Sequence, residues 1–420
     1  MTAKRTFSTS VSTMTVDAGS SIASSIRRDT IVPLRATASP TDVARLRLLS
    51  HGLADAAPTG PLAAVERLLA VQAQDFAASK WALGVRSPGT TITDVETALN
   101  TGQIVRSWPM RGTLHLVPAA ELHWMLRLSA PRQVAGAATI HARLGLTPQL
   151  LERARQIAIE ALHGGRQLSR IEFLALLERH DISTAQQRGY HTIWFLALTG
   201  TLCWGPQVGT QQALTLLDEW VPQPRRLERD ESLGEFALRY FAGHGPATLA
   251  DFTGWSGLTL TDARIGLAVA RPALTEVSIR SGQADSAPMY FRDTAFSDTA
   301  FSDTGTNTAV GAGGPPRQRS SVLALPGFDE YFIGYRDRSA IIDDALVTRV
   351  VPGKNGIFLP LLVSAGRVVG TWRKKASTRA ITVTPQPFAA LTVRQQAGLR
   401  RGIRDYARFL GLEANLSGLA

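Results

Sequence analysis

From residue 40 onward, apolar side chains alternate between helical and strand-like spacing. Residues 41–53 place them every three to four positions, and the same pattern returns after Gly60-Pro61 and again over 91–102, which predicts three amphipathic helices. Residues 104–108 and 113–117 are short runs of strand type, joined by the turn signal Pro109-Met110-Arg111-Gly112. Three helices followed by a β-hairpin is the order of a winged helix, a helix-turn-helix with a β-wing.

This order of helices and hairpin returns twice. Helical patterns over 147–162, 169–179 and 187–198 precede strand-like runs at 201–206 and 213–217, and Ser169-Arg170-Ile171-Glu172 fits a capping box. A third unit has helical patterns over 233–241 and 261–270, a short helix with a Gly-containing turn within 247–258, and a strand at 274–279. After residue 322, strand-like runs at 356–363, 367–372 and 380–383 precede a closing helix over 393–410.

These patterns predict a helix-rich α+β fold with three tandem winged-helix modules and a C-terminal β-rich part. The predicted boundaries are 39–130, 131–228, 229–320 and 321–420. Residues 1–38 lack a secretory apolar core; a transit peptide has a similar composition, but we expect a disordered tail or a start site assigned too early. Residues 293–316 contain a five-residue repeat at 295–304, and we expect a disordered insertion there.

The 420-residue chain is strongly basic, with 45 Lys and Arg against 34 Asp and Glu, a net charge of +11 and a sequence pI near 10.4. This balance favours polyanionic partners such as double-stranded DNA. The alternative explanation is a high-GC genome that encodes arginine in place of lysine. The single cysteine, Cys203, is expected in the core, which favours a reducing, cytoplasmic (nucleoid-associated) location. No apolar run reaches the roughly 18 residues of a membrane span.

Seven short motifs lie in order within residues 41–411. They are Ala70-Val71-Gln72-Ala73-Gln74, Arg106-Ser107-Trp108-Pro109-Met110-Arg111-Gly112-Thr113-Leu114-His115, His244-Gly245-Pro246-Ala247-Thr248, Leu325-Pro326-Gly327-Phe328-Asp329-Glu330-Tyr331, Tyr335-Arg336-Asp337-Arg338-Ser339, Asn355-Gly356-Ile357-Phe358 and Gly370-Thr371-Trp372-Arg373. Together they resemble the AlkZ/YcaQ family of bacterial winged-helix DNA glycosylases. Several matches in the right order make this resemblance more specific than any single motif.

The resemblance implies a concave, basic surface around DNA and hydrolysis of the N-glycosidic bond of alkylated guanine, including cross-links in some members. The family's catalytic motif is Gln-x-Gln in the cross-link resistance branch and Gln-x-Asp in the other. Gln72-Ala73-Gln74 matches the first form, so Gln72 and Gln74 are the implied catalytic residues. Asp75 lies one position too far along for the second form but is expected near the site. The Gln-x-Gln form favours self-protection of an antibiotic producer over general repair.

Uncharged glutamines suit this chemistry because an N7-alkylated guanine already carries a positive charge and leaves as a neutral base. The enzyme then needs a positioned water and stabilisation of an oxocarbenium-like sugar, not a strong general acid. Residues at i and i+2 share a side only on an extended segment. Gln72 and Gln74 therefore cooperate only if the chain leaves the helix near Val71. The alternative is that both are ordinary solvated residues after a helix.

Other polar residues are candidates for supporting roles. His115 ends a strand-like alternation and could contact phosphate or orient water, with a structural hydrogen bond to the backbone as the alternative. Several cations are expected to contact the DNA backbone, with solvated surface charge as the alternative. These are Lys80, Arg106, Arg111, Arg336, Arg338, Arg373, Lys374 and Lys375.

The adjacent carboxylates Asp329 and Glu330 could form an acid pair, but a structural network with Arg336 or Arg338 is favoured. Three tryptophans are expected in the core rather than as base-stacking platforms. They are Trp81, Trp108 and Trp372.

The leading hypothesis is a monomeric, monofunctional glycosylase that acts on double-stranded DNA carrying alkylated bases and uses no metal or organic cofactor. One alternative is a non-catalytic winged-helix DNA-binding protein such as a regulator, although regulators usually bind as symmetric dimers with one or two reading heads. A wing-mediated protein-interaction scaffold fits the basic charge poorly. Because no lysine lies in a context typical of a lyase, the expected product is an abasic site in an intact strand.

Overall fold

The computed structural model describes residues 36–54, 57–209, 211–279, 287–292, 321–353 and 356–418. The expected insertion at 293–316 lies outside these residues. The helices are α1 (Pro40–Ser50), α2 (Gly60–Leu68), α3 (Phe76–Arg86), α4 (Ile92–Asn100), α5 (Leu122–Gly136), α6 (Ala138–Arg143), α7 (Pro148–Leu162), α8 (Arg170–Arg179), α9 (Arg188–Leu198), α10 (Leu217–Trp220), α11 (Arg229–His244), α12 (Leu249–Ser256), α13 (Leu260–Ala270), α14 (Glu330–Ile333), α15 (Asp344–Val350) and α16 (Val393–Leu410). The strands are β1 (Ala36–Ala38), β2 (Val71–Gln72), β3 (Ile104–Met110), β4 (Thr113–Pro118), β5 (Leu202–Val208), β6 (Gln211–Leu216), β7 (Ala247–Thr248), β8 (Thr275–Ile279), β9 (Met289–Phe291), β10 (Leu323–Leu325), β11 (Leu361–Ser364), β12 (Arg367–Ala376), β13 (Ala380–Pro387) and β14 (Glu413–Leu416). The helix-rich α+β class is confirmed.

The first two predicted hairpins are present and belong to one sheet. β3–β4 and β5–β6 are antiparallel pairs in a five-stranded sheet of order β2-β4-β3-β5-β6. The hairpins meet where Arg106 pairs with Trp204. Four helices, not the predicted three, precede the first hairpin, because Asp75 begins the additional helix α3 by accepting a hydrogen bond from the Ala78 N–H.

The third unit contains the predicted helix-turn-helix. α12 ends at Gly257, whose left-handed φ of 72° reverses the chain before α13. β8 and β9 pair within a four-stranded sheet of order β1-β8-β9-β7. The expected disordered tail over 1–38 is wrong for its last three residues. Residues 36–38 form β1, which pairs in parallel with β8, and Ala38 is buried beside Val43 and Val277.

The C-terminal part is a five-stranded sheet of order β10-β11-β12-β13-β14, antiparallel except for the β13–β14 pair. α16 has the predicted bounds, and its Leu399 and Tyr406 are buried in one cluster with Trp81 of α3 and Trp372 of β12. The C-terminal sheet and α16 therefore share a core with helices near the start of the chain.

One hydrophobic cluster runs through all three predicted modules. It contains Trp124, Leu198 and Phe241, and so crosses the predicted boundaries at 130/131 and 228/229. The expected burial of Cys203 and of three tryptophans is confirmed, the latter being Trp81, Trp108 and Trp372. Among the described helices, none combines the length and apolar character that a membrane span requires.

Candidate active site

The glutamine pair lies on an extended segment directly after α2. The chain leaves the helix at Leu69, which has a left-handed φ of 65°, and then forms β2 at the edge of the five-stranded sheet. Gln72 pairs with His115 of β4, and the Gln72 Nε2 atom donates a hydrogen bond to Gln74 Oε1 over 3.1 Å. The expected departure from the helix is confirmed, and it brings both side-chain amides together.

Three successive peptide groups of this segment are held by contacts from different parts of the chain. The Gln72 N–H donates to Glu330 Oε1 (2.8 Å), and the Ala73 N–H donates to the Leu114 carbonyl (2.7 Å). The Ala73 carbonyl accepts two hydrogen bonds from Arg106, from Nε at 3.0 Å and from Nη2 at 2.7 Å. The structure therefore directs Arg106 towards the motif itself, whereas a phosphate contact was expected.

Glu330 is a buried residue next to the Gln72 backbone. Its second oxygen, Oε2, accepts a hydrogen bond from the Trp255 indole N–H over 2.9 Å and lies 3.7 Å from His244 Nε2. Burial by itself would raise the pKa of this carboxyl, but His244 and then Arg111 lower it to about 2. Glu330 is therefore ionised at neutral pH. Its place at the site was missed from sequence because its partners lie at positions 72, 244 and 255. Its signals in the sequence were its place in a family-like motif and its adjacency to Asp329.

Gln72 lines a cleft of about 680 Å³. Its lining residues come from well-separated parts of the chain, namely Gln72, Arg111, Thr113, Gly254, Trp255, Ile333, Tyr335, Arg336, Arg338 and Phe358. Arg336 and Arg338 are thus predicted DNA contacts that the fold does bring to the motif. Arg338 is held there by its Nε, which donates to the Phe332 carbonyl over 2.8 Å. A larger groove of about 880 Å³ runs along α5 and α9, but neither glutamine lines it.

His115 and Arg111 are turned inward beside this cleft. His115 Nδ1 lies 2.8 Å from the Thr113 carbonyl, so Nδ1 carries the proton and Nε2 accepts the 3.1 Å hydrogen bond from Arg111 Nη2. Burial, followed by the charge of Arg111, lowers the pKa of His115 to about 3. With both nitrogens engaged, this imidazole has the backbone hydrogen bond named as the alternative and no free atom to orient water. Arg111 thus contacts His115 and also lines the cleft, and its expected phosphate contact stays a prediction.

Asp75 precedes α3 as its N-cap residue, and Lys80 lies within this helix. The Asp75 carboxylate caps the helix by accepting a hydrogen bond from the Ala78 N–H (3.0 Å). Lys80 is buried, with its Nζ 2.6 Å from Glu96 Oε1 and 4.5 Å from the centre of the Phe76 ring. The structure therefore places Lys80 in the interior instead of on the expected DNA-facing surface. It shows Asp75 as a helix cap, and its catalytic support stays a prediction.

Three predicted DNA contacts lie on β12 and not in the cleft. Arg373, Lys374 and Lys375 are exposed neighbours on this strand. Since successive strand residues point to opposite faces, Lys374 lies on the other face from the remaining two, where its Nζ donates to the Tyr406 hydroxyl over 2.9 Å. Lys374 lines a smaller neighbouring groove that shares Phe358 with the cleft.

Asp329 binds a different arginine from those expected. Both of its carboxylate oxygens accept hydrogen bonds from Arg86 of α3, at 2.7 and 2.8 Å, and both side chains are fully buried. The expected structural role is confirmed, but the predicted partners Arg336 and Arg338 are wrong. α3 and Asp329 become neighbours only in the folded chain.

Comparisons with known proteins relate this fold and sequence to DNA glycosylases. The structure is similar to that of the DNA glycosylase AlkZ from Streptomyces sahachiroi, with a TM-score of 0.71 and 22% sequence identity, covering 90% of this chain and 99% of that chain. The sequence is 25% identical to an interstrand DNA cross-link repair glycosylase from Streptomyces sahachiroi over 336 residues, which is 77% of this chain and 84% of the relative. The profile of the AlkZ-like DNA glycosylases matches residues 65–409. The chain therefore belongs to the AlkZ-like DNA glycosylase family, as the motifs indicated.

Proposed function

We propose that this protein is a monofunctional DNA glycosylase that hydrolyses the N-glycosidic bond of alkylated purines and leaves an abasic site. N7-alkylguanine is the first substrate class, and interstrand cross-links are a further one, supported by the cross-link repair activity named for the relative. The main supporting observation is the Gln72–Gln74 pair, held on an extended segment where Gln72 lines a cleft together with Arg336 and Arg338.

In this mechanism the two side-chain amides position the attacking water. Gln72 uses its Nε2 to hold Gln74, whose exposed side-chain amide can bind the water. The Gln72 Oε1 atom is buried and has no hydrogen-bond partner among the described residues. A water already directed at the anomeric carbon avoids much of the entropy loss of a bimolecular attack. The ionised Glu330 behind Gln72 adds negative potential that favours an oxocarbenium-like sugar, partly offset by Arg111.

The departing base does not require a proton donor in the site. An N7-alkylated guanine leaves as a neutral molecule, so no proton donor is required. This fits a cleft in which His115 is neutral with both ring nitrogens engaged and Glu330 is ionised. Neither group has a proton to give at neutral pH other than the one that His115 uses to bind the backbone.

For DNA binding, we propose that the three helix–hairpin units act as winged helices along a concave, basic surface, and that the protein works as a monomer. Arg336 and Arg338 would contact the phosphates next to the reacting nucleotide, and Arg373 and Lys375 would contact more distant ones. Lys80, by its burial, has no part in this surface.

The test is release of 7-methylguanine from methylated duplex DNA by the wild type and by a Gln72→Ala, Gln74→Ala double variant. We expect the double variant to lose about 10²–10³-fold in single-turnover rate, because the positioning of water is removed, while duplex affinity is retained. A matched control, Gln149→Ala with Gln156→Ala, removes two glutamines that are exposed on α7 and should leave the rate unchanged.

Two outcomes would overturn the proposal. Release that is equally fast in the double variant would remove the glutamines from the mechanism. Tight duplex binding without release of either 7-methylguanine or a cross-linked base would instead identify a non-catalytic DNA-binding protein.

A further inference from the structure

Arg106 makes a contact with the glutamine motif that neither its position in β3 nor a role in DNA binding requires. Its Nε and Nη2 atoms both donate to one acceptor, the carbonyl oxygen of Ala73, at 3.0 and 2.7 Å. Ala73 is the residue between the two glutamines, and its carbonyl belongs to the peptide group that leads into Gln74. The guanidinium group thus binds the backbone of the motif and not the side-chain amides of the two glutamines.

We propose that Arg106 is a positioning residue, which fixes the Ala73–Gln74 peptide so that the Gln74 amide stays beside that of Gln72. This inference rests on the proposed function, because it concerns the same site and the same reaction.

The three peptide groups of the motif are held by contacts from different parts of the chain. The first is held by Glu330, the second by the Leu114 carbonyl, and the third by Arg106. Without Arg106, the third peptide would be free to rotate about its neighbouring bonds. Gln74 is exposed and gains no support from the sheet, since β2 ends at Gln72. The loss of Arg106 should therefore displace Gln74 while Gln72 remains in place.

The guanidinium group is itself held in place. It lies 4.7 Å from the centre of the Phe76 ring and 6.0 Å from that of Trp204, the residue with which Arg106 pairs across the two hairpins. Burial lowers the pKa of Arg106 to about 10, so it remains charged at neutral pH. A planar fork that binds one carbonyl through two N–H groups is a geometry that lysine cannot reproduce.

A positioning role and a phosphate contact predict opposite results for Arg106→Gln. A positioning residue affects the rate of base release, whereas a phosphate contact affects DNA affinity and its dependence on salt. The variant is compared with wild type for the single-turnover rate of 7-methylguanine release and for the Kd of undamaged duplex over a series of NaCl concentrations. We expect the rate to fall about 100-fold, the order reported for misplacement by about 1 Å, with an unchanged Kd and salt slope.

Arg67→Gln is the matched control. Arg67 is also half-buried, and its Nε and Nη2 atoms also donate to backbone carbonyls, those of Ser50 (2.8 Å) and Leu49 (2.9 Å), but it does not contact the motif. This variant should lose comparable packing without the loss of rate. Arg106→Lys retains the charge and one donor, and it should recover part of the rate.

The inference is overturned if Arg106→Gln releases base at the wild-type rate, or if it binds duplex more weakly with a salt slope reduced by about 1. If the Arg106→Gln variant fails to fold, Arg106→Lys is measured in its place. Slower base release at an unchanged Kd supports the positioning role, and an unchanged rate of base release refutes it. Failure of the proposed function is distinguishable, because the wild type itself would then release no base.

Discussion

At the scale of single residues, Glu330 is the buried group that several parts of the site contact. It accepts hydrogen bonds from the Gln72 N–H and the Trp255 indole, and Arg111 adds a nearby positive charge. Burying an ionised carboxylate without such partners would cost free energy comparable to the whole net stability of a folded protein. The ionisation of Glu330 and the position of Gln72 therefore depend on each other.

Replacing Glu330 by Gln should weaken both the fold and the reaction. We expect the free energy of unfolding at pH 7 to fall by about 1–3 kcal/mol, because the neutral amide offers one acceptor oxygen to two donors, the Gln72 N–H and the Trp255 indole. Base release should slow because the anchor of the Gln72 backbone is weakened. Urea unfolding and single-turnover release measure the two effects. Glu121→Gln is the matched control, since Glu121 is buried and also accepts a hydrogen bond from an indole, that of Trp124 (2.6 Å), but its other hydrogen-bond partner is Arg225 and not the glutamine motif. Equal rates for the two variants would contradict the anchoring role.

The pH dependence of this stability difference has a defined sign. The pKa of Glu330 is about 2 in the folded protein, below its usual value of 4.5, so the unfolded chain takes up the proton first as the pH falls. The stabilisation is complete above the unfolded pKa and is lost progressively towards the folded one. The difference in unfolding free energy between wild type and Glu330→Gln should therefore shrink as the pH falls from about 5 to about 2. A difference that stays constant over this range would argue against an ionised Glu330.

At the scale of elements, the turn between β3 and β4 determines where Arg111 meets the cleft. Met110 pairs with Thr113, so Arg111 and Gly112 form a two-residue turn, and both have left-handed φ angles, 55° and 67°. This turn geometry matches the right-handed twist of the strands. Backbone conformation at two residues thus directs the Arg111 side chain towards His115 and the cleft.

Gly112→Ala should destabilise the protein by about 1 kcal/mol, because an L-residue disfavours left-handed φ. A clash is not the cause, since the nearest atom to the new Cβ is Gln133 Oε1 at 3.6 Å. Gly136→Ala is the control: its Cβ meets nothing within 4 Å and its φ is not left-handed. Because Gly136 ends α5, alanine there should be neutral or slightly stabilising. Urea unfolding of both variants tests the prediction, and equal stabilities would refute it.

At the scale of the whole molecule, the buried Arg86–Asp329 pair connects parts of the chain that are 243 residues apart. Arg86 ends α3, the helix that directly follows the glutamine motif. Asp329 caps α14 by accepting a hydrogen bond from the Tyr331 N–H, and α14 carries Glu330. The ion pair therefore joins the helix that follows the motif to the helix that carries its buried carboxylate.

Asp329→Asn should lower the free energy of unfolding by about 3–5 kcal/mol, because it leaves the Arg86 charge buried without its counter-charge. A double variant, Arg86→Met with Asp329→Leu, removes both charges and should recover much of that loss. Urea unfolding of the single and double variants checks this expectation. An Asp329→Asn protein as stable as wild type, or a double variant less stable than the single, would contradict it.

Patterns that depend on neighbouring residues were predictable. The bounds of α16 and the pairing of β3–β4 and β5–β6 match the sequence expectations, because amphipathic period and turn composition act over a few residues. The additional helix α3 and the strand β1 were not predicted. β1 exists only because its backbone pairs with β8, more than two hundred residues later in the chain.

By itself, the sequence determined the order of the first two hairpins and of most helices, the burial of Cys203, the place of the glutamine motif after a helix, and the family. Only the tertiary structure decided which groups surround that motif: Glu330 behind it, Arg106 on its backbone, and Lys80 in the interior rather than at the DNA. The physical reason is that the partners of a buried polar group are whichever distant segments the core brings together. Local periodicity carries no information about those contacts.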